Sequence, residues 1–256
     1  HYPLRRQRQM CIRDSSCTHG TVRRADEMTY DLVAIGNPVY DLISTPSVKT
    51  SERILSGCST NACLSARRLG MRDVVLVGNV GSDFAERFHK EMKSYGINAI
   101  NTGTSERTTG FSLEYDERGD RVLKVIADAG KIPLRSVWSD CRQTRFLLLG
   151  PVLCELDLTD LVDLLGSSLG RVFLDPQGLL RRLGNDGRVE HFCNRDRFRK
   201  LVNSVDFIKP NELEAEVITG LRDQAESARE LVEWGAQVAI VTLGERGSVA
   251  CDGEAC

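Results

Sequence analysis

Long apolar runs are missing from this sequence: no stretch approaches the roughly 20 residues needed to cross a bilayer. An excess of one charge is missing too. The formal net charge is −2, from 34 basic and 36 acidic residues. That gives no electrostatic reason to expect nucleic acid or an anionic membrane as a partner. Ordered cysteine spacing is also lacking. The nine cysteines are odd in number and irregularly placed, and no two have the spacing of a zinc knuckle or a thioredoxin motif. This argues against a disulfide framework and predicts reduced thiols in a cytoplasmic protein. The basic start, His1 to Arg13, is not followed by an apolar segment, so it does not read as a secretory signal. What remains is ordinary: 256 residues, 41% hydrophobic and 27% charged. That suffices for one large domain, or one domain with an inserted subdomain.

The two ends differ from the middle. Residues 1–27 hold six Lys or Arg against three acids and show no periodic apolar pattern. Arg8 to Ser15 resembles a translated sequencing adapter, so 1–27 reads as a non-native or disordered tail, with Met28 as the candidate start. At the other end, Val238–Thr242 and Ser248–Cys251 read as two strands, with Asp252-Gly253-Glu254 as the next turn. A chain stopping on such a turn leaves an unpaired edge and is expected to be cut short.

Between the ends, short apolar runs alternate with helical patterns. Leu32–Gly36, Val74–Gly78, Phe146–Leu149, Val172–Leu174 and Phe207–Ile208 read as buried strands. Helices fit Thr60–Leu69, Asp83–Ser94, Leu158–Leu169, Asp196–Asn203, Asn211–Ile218 and Gln224–Trp234. Strands without alternation, each followed by a helix, predict an α/β fold with a mostly parallel sheet covered on both faces, a three-layer α/β/α arrangement. Two segments break the rhythm. Leu42–Ile54 is extended, and Phe111–Tyr115 alternates, turns at Glu117-Arg118-Gly119-Asp120 and returns through Val122–Ile126. Both are assigned to a small β-sheet lid formed by about 42–55 and 108–127.

In a parallel sheet, ligands bind beyond the carboxyl ends of the strands. Asp41 follows the first strand, where a carboxylate suits two hydroxyls of a sugar; a loop aspartate would look the same. Gly57 and Asn61 lie in Ser56-Gly57-Cys58-Ser59-Thr60-Asn61, just before a helix. There glycine permits close backbone approach, Thr60 or Asn61 can cap the helix, and its N–H groups suit an oxygen-rich ligand. An ordinary cap explains that segment equally. Asn211 and Glu214 share one face of a helix start and offer hard oxygens to Mg²⁺; complementing the helix dipole explains them equally. Thr242, Gly244 and Gly247 follow a strongly apolar strand and can wrap a nucleotide, or simply make a hairpin turn. Gly78 to Asp83 lacks the third glycine of a dinucleotide fingerprint.

In their order, these segments resemble the ribokinase family, the pfkB-type carbohydrate kinases, from about Tyr30 to the last residue. Ser56–Gly96 is similar to that family's first signature, and Phe207–Ala215 to its Asn-x-x-Glu motif. The resemblance implies a ribokinase-like fold with ATP and Mg²⁺ as cofactors. Asp41, Gly57 and Asn61 would hold a small sugar or nucleoside, while Asn211 and Glu214 would organise Mg²⁺ and phosphate. Thr242, Gly244 and Gly247 would line the ATP pocket, and Asp175 could face the phosphates. The lid segments in relatives often also make a homodimer contact.

Two departures stand out. Ser56-Gly57 replaces a usual pair of glycines, and the family's Gly-Ala-Gly-Asp turn, whose Asp is the catalytic base, is expected beyond Cys256. The implied activity is phosphorylation of a sugar hydroxyl, with this chain expected to be inactive. A nucleoside kinase, or a non-catalytic nucleotide or sugar sensor on the same fold, are the alternatives.

Overall fold

The computed structural model describes residues 28–256 apart from 104, 118–120 and 185–188. The expectations for 1–27 and for the turn at Arg118, Gly119 and Asp120 lie outside the described residues. The chain begins with β1 (Tyr30–Ile35), β2 (Val39–Ser44), β3 (Ile54–Ser56), α1 (Cys58–Arg68), β4 (Val74–Gly78), α2 (Ala85–Tyr95) and β5 (Asn98–Asn101). It continues through β6 (Gly110–Tyr115), β7 (Arg121–Ala127), α3 (Leu134–Cys141), β8 (Thr144–Leu149), α4 (Leu158–Leu165) and β9 (Arg171–Leu174). A 3₁₀ turn at Gln177–Leu180 leads to β10 (Arg181–Leu183), β11 (Val189–His191), α5 (Arg195–Val202) and β12 (Phe207–Ile208). Last come α6 (Glu212–Thr219), α7 (Gln224–Glu233), β13 (Val238–Thr242) and β14 (Ser248–Cys251).

Eight strands form the main sheet in the order β14-β13-β12-β9-β8-β1-β4-β5. All neighbours are parallel except β13 and β14. The unalternating strands explain themselves once both faces are seen. In β1, Val33 and Ile35 join one core, with Val75, Val77, Leu147 and helix residues Leu161, Phe198 and Leu231. Leu32 and Ala34 join the other, with Val74, Leu76, Cys63, Phe88 and Met92. Successive side chains point to opposite faces, and each face is covered by helices, so every position is apolar. Each such buried side chain contributes about 1.5–3 kcal/mol.

A second sheet, β3-β2-β6-β7, stands beside the first. Its β2–β6 pair is parallel, and its outer pairs are antiparallel. Its inner face packs Val39, Phe111 and Leu113 against Val152 and Leu153 of the loop after β8. The extended segment is less regular than expected: Thr45–Arg53 is loop, tied to β2 by a bridge between Ser44 and Lys49 and by hydrogen bonds from Thr50 to Ile43 and from Arg53 to the Tyr40 carbonyl.

Four sequence expectations need correction. Helix α1 starts at Cys58, and its N-cap is Gly57 with no side-chain bond, so neither Thr60 nor Asn61 caps it. Gly57 has φ +108°, which places the boundary where only glycine is comfortable. Helix α4 stops at Leu165 because the chain turns at Gly166, and the Ser167 hydroxyl accepts the Trp138 indole N–H. Strand β5 and helix α3 were not anticipated, the first being polar at both ends and the second short. Finally, Cys251 is disulfide-bonded to Cys256, against the expectation of reduced thiols. The Asp252 carboxylate accepts the N–H groups of Glu254 and Ala255, and that turn carries Cys256 back beside β14.

Candidate functional site

Because β1, β8, β9, β12 and β13 are parallel, the residues after their last positions share one rim of the sheet. A cavity of about 620 Å³ opens there, roofed by the small sheet. Asp41, Gly57 and Asn61 all line it. Asp41 is buried on β2, and its Oδ1 accepts the Phe111 N–H at 2.9 Å, tying β6 to β2. Gly57 brings the backbone close: a Cβ there would lie 3.2 Å from the Asn37 carbonyl oxygen and from Val39 Cγ2. Asn61, in the first turn of α1, is exposed towards the opening.

The start of α1 is seated by a second close approach. A Cβ on Gly36 would lie 2.3 Å from the Gly150 carbonyl oxygen, and the Ser59 hydroxyl donates to that same oxygen at 3.2 Å. Beneath it, Glu155 is wholly buried and accepts the N–H groups of Asn37, Val152 and Leu153 at 2.7–3.0 Å. Burial pushes its carboxyl above the ordinary value, the three N–H donors opposing.

Asn211 and Glu214 sit further along the rim. Asn211 is the N-cap of α6, its Oδ1 accepting the Glu214 N–H at 2.8 Å. The Glu214 Oε2 accepts the Asn211 N–H at 2.9 Å, completing a capping box. Glu214 is buried, which raises its carboxyl above the ordinary value. Thr242 pairs with Asn211 across a parallel bridge, its N–H reaching the Pro210 carbonyl at 3.0 Å. Gly244 and Gly247, with φ +62° and +88°, bound the short turn from β13 to β14. These five residues do not line the cavity, but their chain neighbours Lys209 and Ile240 do.

Sequence reasoning passed over several cavity residues. Lys209 reaches Asp175 Oδ2 at 2.8 Å. Burial pulls its ammonium down, but the Asp175 carboxylate outweighs that and holds it above the usual lysine value. The Cys58 thiol, also hydrogen-bonded to Asp175, is pushed up mainly by burial, which disfavours its thiolate. Arg181 is buried in the wall. Phe173 and Phe207 stack at 4.3 Å between centroids and are only half-buried, forming an aromatic floor. Of these, Lys209 and Phe207 stand in the Phe207–Ala215 segment and Cys58 in Ser56–Asn61, whereas Arg181 carried no local signal. Gly78 to Asp83 serves structure instead. Asn79 is hydrogen-bonded to Asn37 and to the Lys131 carbonyl, and Asp83 to Thr108. Among the described residues, no helix is long and apolar enough to cross a membrane.

Known proteins resemble this chain in sequence and in fold. Cytidine kinase of Thermococcus kodakarensis is 28% identical over 234 residues, covering 87% of this chain and 76% of its own. ATP-dependent 6-phosphofructokinase of Thermoanaerobacterium thermosaccharolyticum is 24% identical over 257 residues, covering 90% and 73%. Among solved structures, a pyrophosphate-dependent kinase of the ribokinase family, complexed with a pyrophosphate analog and myo-inositol, superposes with a TM-score of 0.73 at 20% identity, covering 87% and 76%. Ribokinase from Thermotoga maritima gives 0.65 at 17% identity, covering 88% and 75%. The model of the pfkB family carbohydrate kinases matches residues 28–256, and the chain belongs to that family.

Proposed function

We propose that this chain binds ATP and a small sugar for phosphorylation of a sugar hydroxyl. The observation that carries this reading is the single cavity that gathers Asp41, Gly57 and Asn61 at the same rim as Asn211 and Thr242. In this reading Asp41 accepts hydrogen bonds from acceptor hydroxyls, Gly57 lets the α1 N-terminus approach, and Asn61 completes the acceptor contacts. Thr242, Gly244 and Gly247 hold the nucleotide. The small sheet, about 42–55 and 108–127, closes as a lid that excludes water, and its outer side is where we place a contact with a second copy.

The residues present fit Mg²⁺ held largely through water and phosphate. In this reading the capping box uses Glu214 Oε2, and the second carboxylate oxygen is a hard ligand for a hydrated cation. No group of three or more acidic, histidine or cysteine side chains gathers among the described residues, so an all-protein cage is not the model. When bound, Mg²⁺ neutralises charge on the transferring phosphoryl group. The chain's own work is to orient the acceptor through Asp41, to set Glu214 through Asn211, and to hold Asp175 in place through Lys209.

No Gly-Ala-Gly-Asp turn occurs in the 256 residues, so binding without appreciable turnover is expected of this chain. Calorimetry with Mg-ATP, and with pentoses, hexoses and nucleosides, tests the reading. Asp41→Ala should lose acceptor binding and keep Mg-ATP binding; loss of neither removes the acceptor assignment. A nucleoside acceptor is the second reading, favoured by the Phe173–Phe207 floor on which a base would stack, and by the similarity to a cytidine kinase. A nucleotide or sugar sensor would bind the same ligands without any turnover in a chain supplied with the missing turn.

A further inference from the structure

Arg53, the residue before β3, does not line the cavity, yet its guanidinium gathers the backbone on which the acceptor end is built. Its Nε donates to the Tyr40 carbonyl at 2.6 Å, and its Nη2 donates to the Thr108 and Thr109 carbonyls at 3.2 and 3.4 Å. The Tyr40 carbonyl belongs to the peptide that leads into Asp41. The Thr109 carbonyl belongs to the peptide that leads into Gly110, one residue before Phe111, whose N–H Asp41 accepts. One side chain therefore holds the backbone under both partners of that bond. Gly110 makes room for it: a Cβ there would overlap Arg53 Nη2 and the Tyr40 carbonyl oxygen.

The same guanidinium is anchored in the main body of the protein. Its Nη1 lies 3.9 Å from Asp83 Oδ2, and its central carbon stands 4.7 Å over the Phe84 ring at the start of α2. Phe84 stacks on the Tyr40 ring at 4.2 Å, and the Tyr40 hydroxyl donates to Glu91 of α2 at 2.5 Å. The Arg53 side chain is only 14% exposed. Burial disfavours its charge, and the carboxylates of Asp83 and Asp41 oppose that. A planar fork of donors fixes three carbonyls relative to one another, which a lysine ammonium on a flexible stem does not. Tyr40 and Thr109 lie where β2 and β6 leave the main body, so the fork sets how the two strands carry Asp41 and Phe111 over the cavity.

We infer that Arg53 is a positioning residue for acceptor binding, which sets Asp41 and the Phe111 N–H from behind without touching the ligand. This rests on the acceptor assignment of the cavity and deepens it. The test is calorimetry on the full chain with ribose, fructose and cytidine, and separately with Mg-ATP. For whichever of the three compounds binds the wild type, Arg53→Ala should bind it roughly 10- to 100-fold more weakly, as loss of charge-assisted hydrogen bonds implies, with Mg-ATP affinity unchanged. Millimolar guanidinium chloride, far below denaturing concentrations, should restore much of the lost affinity, and ammonium chloride at the same concentration should not. Arg53→Lys, which keeps a charge beside Asp83 but not the fork, should also lose acceptor affinity, and it decides the matter if Arg53→Ala shows no cooperative melt. Wild-type acceptor affinity in whichever variant folds, equal loss of Mg-ATP affinity, or equal rescue by ammonium overturns the positioning role. Binding of none of the three compounds by the wild type would instead overturn the acceptor assignment beneath it.

Discussion

Helices α1 and α6 both begin at the same rim of the same sheet, yet their N-termini are finished in opposite ways. At α1 the cap is a glycine with φ +108° and no side-chain bond, and the opening turn lines a cavity. At α6 Asn211 and Glu214 close a reciprocal capping box. The first helix leaves its opening N–H groups without a side-chain cap, at a cost in its own stability. The second uses the side chains of Asn211 and Glu214 to close its own start. One rim thus carries an open end suited to hydroxyls or phosphate and a closed end suited to a hydrated cation.

The comparison can be broken at its foundation first. Glu155 seats the loop beneath α1 by satisfying three backbone N–H groups, so Glu155→Ala should destabilise the protein by about 3 kcal/mol or more. Urea denaturation measures it, and a loss under about 1 kcal/mol would show that α1 does not depend on this seat. Next is the open end. Gly57→Ala forces φ +108° on a residue with a Cβ, which should cost about 1–3 kcal/mol and abolish acceptor binding. Unchanged calorimetry would mean that α1 does not need its bare cap.

The closed end is sharpened by a contrast of two variants. Asn211→Ala removes the cap and should cost about 1 kcal/mol. Glu214→Gln, which keeps an oxygen for the Asn211 N–H, should leave the melting temperature nearly unchanged while weakening Mg²⁺-dependent ATP binding. Equal Mg²⁺ dependence in Glu214→Gln and wild type would leave the box purely structural. The smallest effect is on pH. The folded Glu155 carboxyl is raised, so above the ordinary carboxylate value the folded state holds a proton that the unfolded state has lost. Stability from this group is therefore present at low pH and falls as pH rises through the raised value. The stability gap between wild type and Glu155→Gln should widen as pH falls from 7 towards 4.5; a gap that narrows contradicts the sign.

Much of this was legible in the residues. The runs at Leu32–Ile35 and Val74–Val77 announce strands covered on both faces, and Asn211-Glu212-Leu213-Glu214 announces a helix start. Both are local patterns with local causes. The cap of α1 was misread because Thr60 and Asn61 have the right chemistry, and only the backbone at Gly57 shows where the helix begins. Cys58 lay between predicted site residues, and Phe173 and Phe207 lay in predicted strands, but no local pattern shows that the thiol, the two rings and Arg181 form one cavity wall, because strands 34 residues apart in sequence meet only in the sheet. The Cys251–Cys256 bond was missed because it depends on the turn that Asp252 builds.

By itself the sequence determined the α/β class, the order of strands and helices along the chain and the family, because hydrophobic period and turn chemistry act between near neighbours. Only the tertiary structure decided which face of each strand joins which core, that Asp41 and Arg181 converge on Phe111, and that Asn211 and Thr242 are bridged. The Asn211–Thr242 bridge joins residues 31 positions apart, and Asp41 and Arg181 each meet Phe111 from 70 positions away. They are fixed by the parallel registration of the sheet, which no local pattern of residues encodes.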